Sequence, residues 1–179
     1  MTGEFEVRSS VSTDVPLIEA LYPEAFPEEE LLPLVRGLLA QSEPVTSLVA
    51  VEEGRLLGHV IFTPCRVAGA EKPSALLGPL VVAAKAQGRG IGSRMVRVGL
   101  ERLLKSGFNR AFVLGDPAYY RRFGFSAELG VDPPYPFPTD LPPQWQGAWQ
   151  SLELDAAKSR EQGRLLVSDP WMDRALWSA

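Results

Sequence analysis

The sequence predicts a mixed α/β domain whose strands are mostly antiparallel neighbours, and three observations predict it. The apolar runs Ser47 to Val51, Leu56 to Val67 and Ala75 to Ala84 follow one another through short connections, the order of a strand meander. Two helical patterns precede these runs and a longer one follows them. Where the last run gives way to that longer helix, the chain reads Gln87-Gly88-Arg89-Gly90-Ile91-Gly92, a glycine-rich turn from strand into helix. A chain of 179 residues with 45% hydrophobic content can bury one substantial core. One domain is therefore expected over residues 1–155, with a proline-rich loop at 131–147 and a C-terminal extension at 156–179.

Taken in order, Phe5 and Val7 alternate with Glu4, Glu6 and Arg8, a short half-buried strand. Ser12-Thr13-Asp14 ahead of Val15-Pro16 supplies helix-start chemistry, and the first helix should run to about Ala25. Pro27 followed by Glu28, Glu29 and Glu30 has the pattern of a second start, which predicts a helix from there to about Ala40. The next two strands join across Glu52-Glu53-Gly54-Arg55, a turn containing glycine. Gly78-Pro79 interrupts the third run and predicts a bulge or bend in that strand. From Ile91 the residues Met95, Val96, Leu100, Leu103 and Leu104 return at helical spacing, with Arg94, Arg97, Glu101, Arg102 and Lys105 on the other face. Gly107 stands where a helix-ending glycine belongs. Asn109 to Gly115 reads as a short strand, Asp116-Pro117 as the cap and first position of another helix, and Ala148 to Leu154 as the last strand. Between them, Asp132 to Pro143 holds six prolines in twelve residues, which excludes a regular helix or central strand.

The glycine run has the makings of an anion cradle. Glycines let the backbone turn with positive φ and admit a phosphate close to the main chain. The helix that follows adds free N–H groups and the positive end of its dipole. A Walker A loop is excluded, because the chain after Gly92 reads Ser93-Arg94-Met95 with no Lys-Ser/Thr pair. The dinucleotide fingerprint fits Gly88 and Gly90 but meets Ser93 at its third place, and it should open a parallel βαβ unit where this chain has a meander.

The pattern Q/R-x-x-G-x-G/A is met by Gln87, Gly90 and Gly92. With Tyr119-Tyr120-Arg121-Arg122-Phe123-Gly124-Phe125, similar to a Y-x-x-x-G-F ending, and the interrupted strand Leu76 to Val82, it resembles the coenzyme A loop of the GNAT superfamily of acyl-CoA N-acyltransferases, over about residues 4 to 130. The resemblance implies a central, mostly antiparallel twisted sheet of about six to seven strands flanked by about four helices. It implies acetyl-CoA as acyl donor, held at Leu80, Val81, Val82, Gln87, Gly88, Arg89, Gly90, Ile91, Gly92 and Ser93, and an amine acceptor that attacks directly. Around Leu80, Val81 and Val82 the family uses backbone N–H groups against the charge that builds on the reacting carbonyl oxygen. Tyr120, four residues before the glycine of the G-F pair, matches the family's acid for the leaving thiolate. Two departures stand out. Gly78-Pro79 occupies the neighbourhood where some members carry a carboxylate base, and Asp116 is closer to Tyr120 than the pantetheine-binding asparagine of many members. A non-catalytic acyl-CoA-binding or sensor module with the same fold is the alternative.

Other residues carry blander readings. Asp116 reads as a helix cap before a base, His59 in an apolar strand as a hydrogen-bonded structural histidine, and Cys65 as a small buried hydrophobe. Arg89 suits a phosphate contact and a solvated charge equally, and Gln87 can cap the turn through its amide. Glu24, Glu28, Glu29 and Glu30 read first as a solvated helix start and second as an attraction for an acceptor ammonium group. No metal is expected. The net charge of −4 offers no general attraction to nucleic acid or anionic membrane. One cysteine, no leader-like start and no long apolar run make a cytoplasmic location the expectation. The four tryptophans, Trp145, Trp149, Trp171 and Trp177, all fall near the end, where they can pack the tail, line an acceptor pocket or form a homodimer contact.

Overall fold

The computed structural model describes residues 3–155 and 161–178. It divides into two compact units, Met1–Phe62 with Gly78–Glu101 and Thr63–Leu77 with Arg102–Ala179. Among the described residues there are nine strands and four α-helices, so the chain is a mixed α/β protein built on a mostly antiparallel sheet.

In the first unit, β1 (Glu6–Ser9) runs antiparallel to β2 (Thr46–Glu52), and β2 runs antiparallel to the start of β3 (Arg55–Val67). The β2–β3 turn places both of its central residues at positive φ, Glu53 at 48° and Gly54 at 76°, the conformation that matches the twist of a two-residue hairpin. Helix α1 (Val15–Ala25) follows a 3-10 turn at Ser12–Asp14. Asp14 is nearly buried there; it takes Nη1 of Arg8 at 2.8 Å and the Val11 N–H at 2.8 Å, joining β1 to the helix start. The Arg8 hydrogen bond holds its carboxyl below the ordinary carboxylate range. Helix α2 (Leu32–Ala40) starts later than the sequence pattern predicts. The Glu29 N–H closes a turn on the Phe26 carbonyl, the first ladder bond is Val35 N–H to Leu31 carbonyl, and Pro33 rather than Pro27 occupies the first helical turn. Glu28, Glu29 and Glu30 are thereby left as exposed connection.

The same unit holds the end of β4 (Ser74–Val82) and most of α3 (Ile91–Lys105). A cis peptide joins Gly78 to Pro79 within β4. Ile91, Met95 and Val96 of α3 are buried while Arg94 and Arg97 are exposed. The helix comes this close because Gly58 of β3 has no side chain: a Cβ there would stand 2.7 Å from Met95 Cε and 2.9 Å from the Val81 carbonyl oxygen. Below this face the core contains a neutral polar chain. The Tyr22 hydroxyl meets His59 Nδ1 at 2.7 Å, His59 Nε2 meets Ser47 Oγ at 2.8 Å, and Ser10 Oγ donates to Ser47 Oγ at 2.7 Å. Burial pushes the His59 imidazole down to about 3, so it is uncharged, with two hydrogen bonds satisfying it.

In the second unit, the start of β4 pairs in parallel with β5 (Arg110–Leu114), from Ser74 opposite Arg110 to Leu77 opposite Val113. Next come β8 (Trp149–Glu153), antiparallel to β5, and β6 (Ser126–Ala127), antiparallel to β8. Along the end of β3 runs β9 (Gly163–Leu166), which also pairs with β7 (Val131–Asp132). The two-residue strands and β9 raise the count above the six to seven expected. Gly163-Arg164-Leu165-Leu166 shows no alternation, and its strand identity comes from the partners on both sides. Of the proline-rich loop only Val131 and Asp132 pair as strand, and Tyr135 donates to the Met172 carbonyl at 2.7 Å. Residues 156–160 and 179 of the expected extension lie outside the described residues. The remainder brings in Trp171 and Trp177, both buried: Trp171 Nε1 donates to Thr63 Oγ1 at 3.1 Å and Trp177 Nε1 to the Trp171 carbonyl at 2.8 Å. Trp145, by contrast, is 43% exposed. The unit also contains a charged buried cluster. Arg110 and Ser151 both donate to Glu128 Oε2, whose other oxygen accepts the Gly130 and Val131 N–H groups at 2.8 and 2.9 Å.

Candidate functional site

The glycine loop starts where β4 ends. Val81 buries its side chain, while Leu80 and Val82 on either side of it are half-buried. The Ala83 N–H still bonds the Leu57 carbonyl of β3 at 2.8 Å, after which Ala84–Ala86 form a 3-10 turn. Gln87 Nε2 donates back to the Val82 carbonyl at 3.2 Å, closing that turn with a side chain. Gly88 and Gly90 follow at φ 79° and 77°, and a Cβ at either would meet nothing within 4 Å. Space is therefore open at both; the backbone conformation is what requires glycine. The ladder of α3 begins with the Arg94 N–H on the Gly90 carbonyl at 3.0 Å. The amides of Ile91 and Gly92 precede it, ahead of the first ladder bond. Helix-start amides outside the ladder, the positive end of a 15-residue helix and open glycines are the features that favour an anion at such a turn.

Arg89 does not point into solvent. Its Nη2 donates to Glu52 Oε1 at 2.7 Å and to the Gly3 carbonyl at 2.9 Å, and its Nη1 to Glu52 Oε2 at 3.3 Å. The Arg89 hydrogen bond holds the Glu52 carboxyl below its ordinary range. Beside this pair is a groove of about 430 Å³ lined by Gly3, Glu4, Phe5, Gly88, Arg89 and Arg94. Glu52 and Gly3 have no sequence signal linking them to the loop, since contacts across 37 and 86 positions leave no local pattern. Gly58 did carry one, because a glycine inside a strand marks close backbone approach.

Tyr120, in the second unit, ends the four-residue helix α4 (Pro117–Tyr120). Asp116 is its cap, accepting the Ala118 N–H at 2.8 Å, and Gly124 at φ 99° stops the following turn. The ring is 9% exposed and packs edge-on against Tyr119 and Phe125 at 5.0 and 5.8 Å between centroids. Gly115 leaves room for it; a Cβ there would stand 2.5 Å from the ring. Burial first, then Tyr119 and Asp116, push the phenol above its ordinary range, so it stays protonated and able to donate. His59 is engaged in the buried chain described above, and Cys65 is buried in β3. Glu24 is exposed like Glu28 to Glu30.

Comparison with known proteins agrees with this arrangement. Residues 15–125 match the model of the acetyltransferase (GNAT) family. The uncharacterized N-acetyltransferase YjhQ of Escherichia coli strain K12 is 35% identical over 163 residues, which cover 88% of this chain and 89% of that protein. Among solved structures, the GNAT family N-acetyltransferase YhbS of Escherichia coli in complex with CoA superposes with a TM-score of 0.83 at 27% identity, covering 97% of this chain and 94% of the other. A GNAT family acetyltransferase of Brucella melitensis in complex with acetyl-CoA gives 0.76 at 30% identity, covering 94% and 98%. A left-handed glycine turn on a mixed sheet, together with matches that span most of the chain, leads to one conclusion: the chain belongs to the GNAT acetyltransferase family.

Proposed function

We propose that this protein transfers an acetyl group from acetyl-CoA to a primary amine of a small molecule or peptide, by direct attack of the bound amine. The observation that carries the reading is the glycine turn, with Gly88 and Gly90 left-handed and open and the first amides of α3 outside the helical ladder. The similar structures with CoA and acetyl-CoA bound support the choice of anion.

In this reading the amides of residues 88–93 bind the pyrophosphate, and Gln87 sets the turn by holding the Val82 carbonyl. The thioester supplies an activated carbonyl carbon: the amine nitrogen bonds to it, the carbon–sulfur bond breaks, and the amine gives up a proton. Backbone N–H groups around Leu80, Val81 and Val82 stabilise the carbonyl oxygen as it gains charge. Tyr120 hydrogen-bonds the departing sulfur and hands over its proton as thiolate charge develops, while water takes up the proton leaving the amine and returns one to the phenolate; the raised pKa of the phenol keeps it a donor throughout the working range. Most of the rate then comes from holding the two reactants together.

The test is release of free thiol from acetyl-CoA in the presence of a panel of primary amines and peptides. Amine-dependent release with matching product mass is the expected result. Tight CoA binding with no turnover on any amine would overturn the catalytic reading in favour of an acyl-CoA-binding module.

A further inference from the structure

The loop between Gln87 and Gly92 is short of anchors. Its two left-handed glycines touch nothing through a side chain, and glycine loses more freedom on ordering than any other residue. Ahead of the buried Ile91, two polar side chains hold it: Gln87 on the Val82 carbonyl, and Arg89 on Glu52 and Gly3. The second anchor is a built contact. Arg89 and Glu52 are each only 22% exposed, both Nη atoms of the guanidinium engage the carboxylate, and Gly3 packs so tightly that a Cβ there would collide with Glu52 Oε1. The contact also settles the charge. With Glu52 in place, Arg89 is matched rather than offered to an anion.

We propose that Glu52 is a positioning residue for the phosphate loop, acting through Arg89, and that Gly3 completes the clamp from the N-terminal segment. This rests on reading residues 87–93 as the coenzyme A cradle. The proposal assigns Arg89 to the loop's own architecture and leaves the phosphate to backbone amides preorganised by that clamp. The two roles open to Arg89 predict opposite signs for removal of Glu52. A tether lost loosens the cradle and weakens binding, whereas a phosphate ligand set free from its carboxylate strengthens it.

Calorimetric titration of the full chain with CoA distinguishes them, using Glu52→Gln, Arg89→Gln and the double variant. Each single change is expected to weaken CoA binding by about tenfold, within the range of coupling between residues in direct contact, with the double variant no weaker than either single one. Gly3→Ala, which presses on the clamp without touching the loop, should shift affinity in the same direction by a smaller factor, and it stands in for Glu52→Gln should that variant lose its cooperative melting transition. CoA binding by Glu52→Gln as tight as wild type or tighter, or fully additive losses in the double variant, would overturn the proposal. A role confined to stability would lower the melting temperature of these variants and leave CoA affinity of the folded protein unmoved, which also overturns it. Absence of CoA binding in the wild type overturns the cradle reading and this inference together; binding in the wild type that Glu52→Gln leaves intact overturns this inference alone.

Discussion

The loop at residues 87–92 and the segment from Gly115 to Phe125 both leave the end of a strand and enter a helix, yet they present different chemistry. The first offers backbone. Its glycines are needed for positive φ, its polar side chains are turned to the Val82 carbonyl, Glu52 and Gly3, and in the proposed reading the groups that face the pyrophosphate are amides. The second offers a side chain. Asp116 caps four helical residues, Gly115 makes room for a ring, and the outcome is one nearly buried phenol kept protonated. Binding built from backbone should respond to conformation and tolerate most side-chain changes that respect it, whereas a step resting on one hydroxyl should respond to a single oxygen.

The largest expected effect is at that oxygen. Tyr120→Phe should lower turnover by about 10²-fold or more while CoA affinity stays where it was. Because the phenol titrates above its ordinary range, the ratio of wild-type to variant rate should hold constant between about pH 7 and 9; equal turnover in the two proteins removes Tyr120 from the chemistry.

Next in size is a pH effect on stability, located in the unit that holds the loop and independent of either segment. The unfolded chain protonates His59 near its ordinary value of 6.5, the folded protein only near about 3. Unfolding therefore takes up a proton between these values. The stability owed to the neutral imidazole is fully present above about pH 6.5 and falls by roughly 1.4 kcal/mol per pH unit on acidification. Urea denaturation should show a loss of roughly 2 kcal/mol between pH 7 and 5, much reduced in His59→Asn. Asp14 and Glu19, held low by arginine partners, act only at more acidic pH. An equal loss in the variant assigns the pH dependence elsewhere.

Gly90→Val should weaken CoA binding by about tenfold, the cost of placing an L-residue in the left-handed region. Since the space around Gly90 is open, Gly90→Ala should weaken it comparably; a large difference between the two would mean that bulk, not φ, governs the loop. The smallest effect is expected at Asp116→Ala, which removes the cap of α4 at a cost of about 1 kcal/mol. It should shift thermal stability slightly, with turnover falling only as far as Tyr120 is displaced.

The same contrast decides what could be read in the letters. Positive φ has a chemical signature, glycine, so the turn was visible from Gln87 to Gly92, and the Asp116-Pro117 cap was visible because capping is local. The second helix was misplaced by several residues, because Pro27 and Pro33 carry the same starting signal and only the turn from Phe26 to Glu29 separates them. Strand β9 was missed since a strand with little alternation takes its identity from its partners. The role of Arg89 stayed open for a related reason: a charged side chain in a loop is equally compatible with water, phosphate or a carboxylate.

By itself the sequence determined the strand meander, the amphipathic α3, the glycine turn and the tyrosine four residues before Gly124, all properties of spacing within a few residues. Tertiary structure alone decided that Glu52 and Gly3 clamp Arg89, that Gly58 admits Met95, that Gly115 admits the Tyr120 ring and that His59 is neutral between Tyr22 and Ser47. Each of these joins residues through space at a distance set by burial and by the absence or presence of a Cβ, and no local periodicity records such meetings.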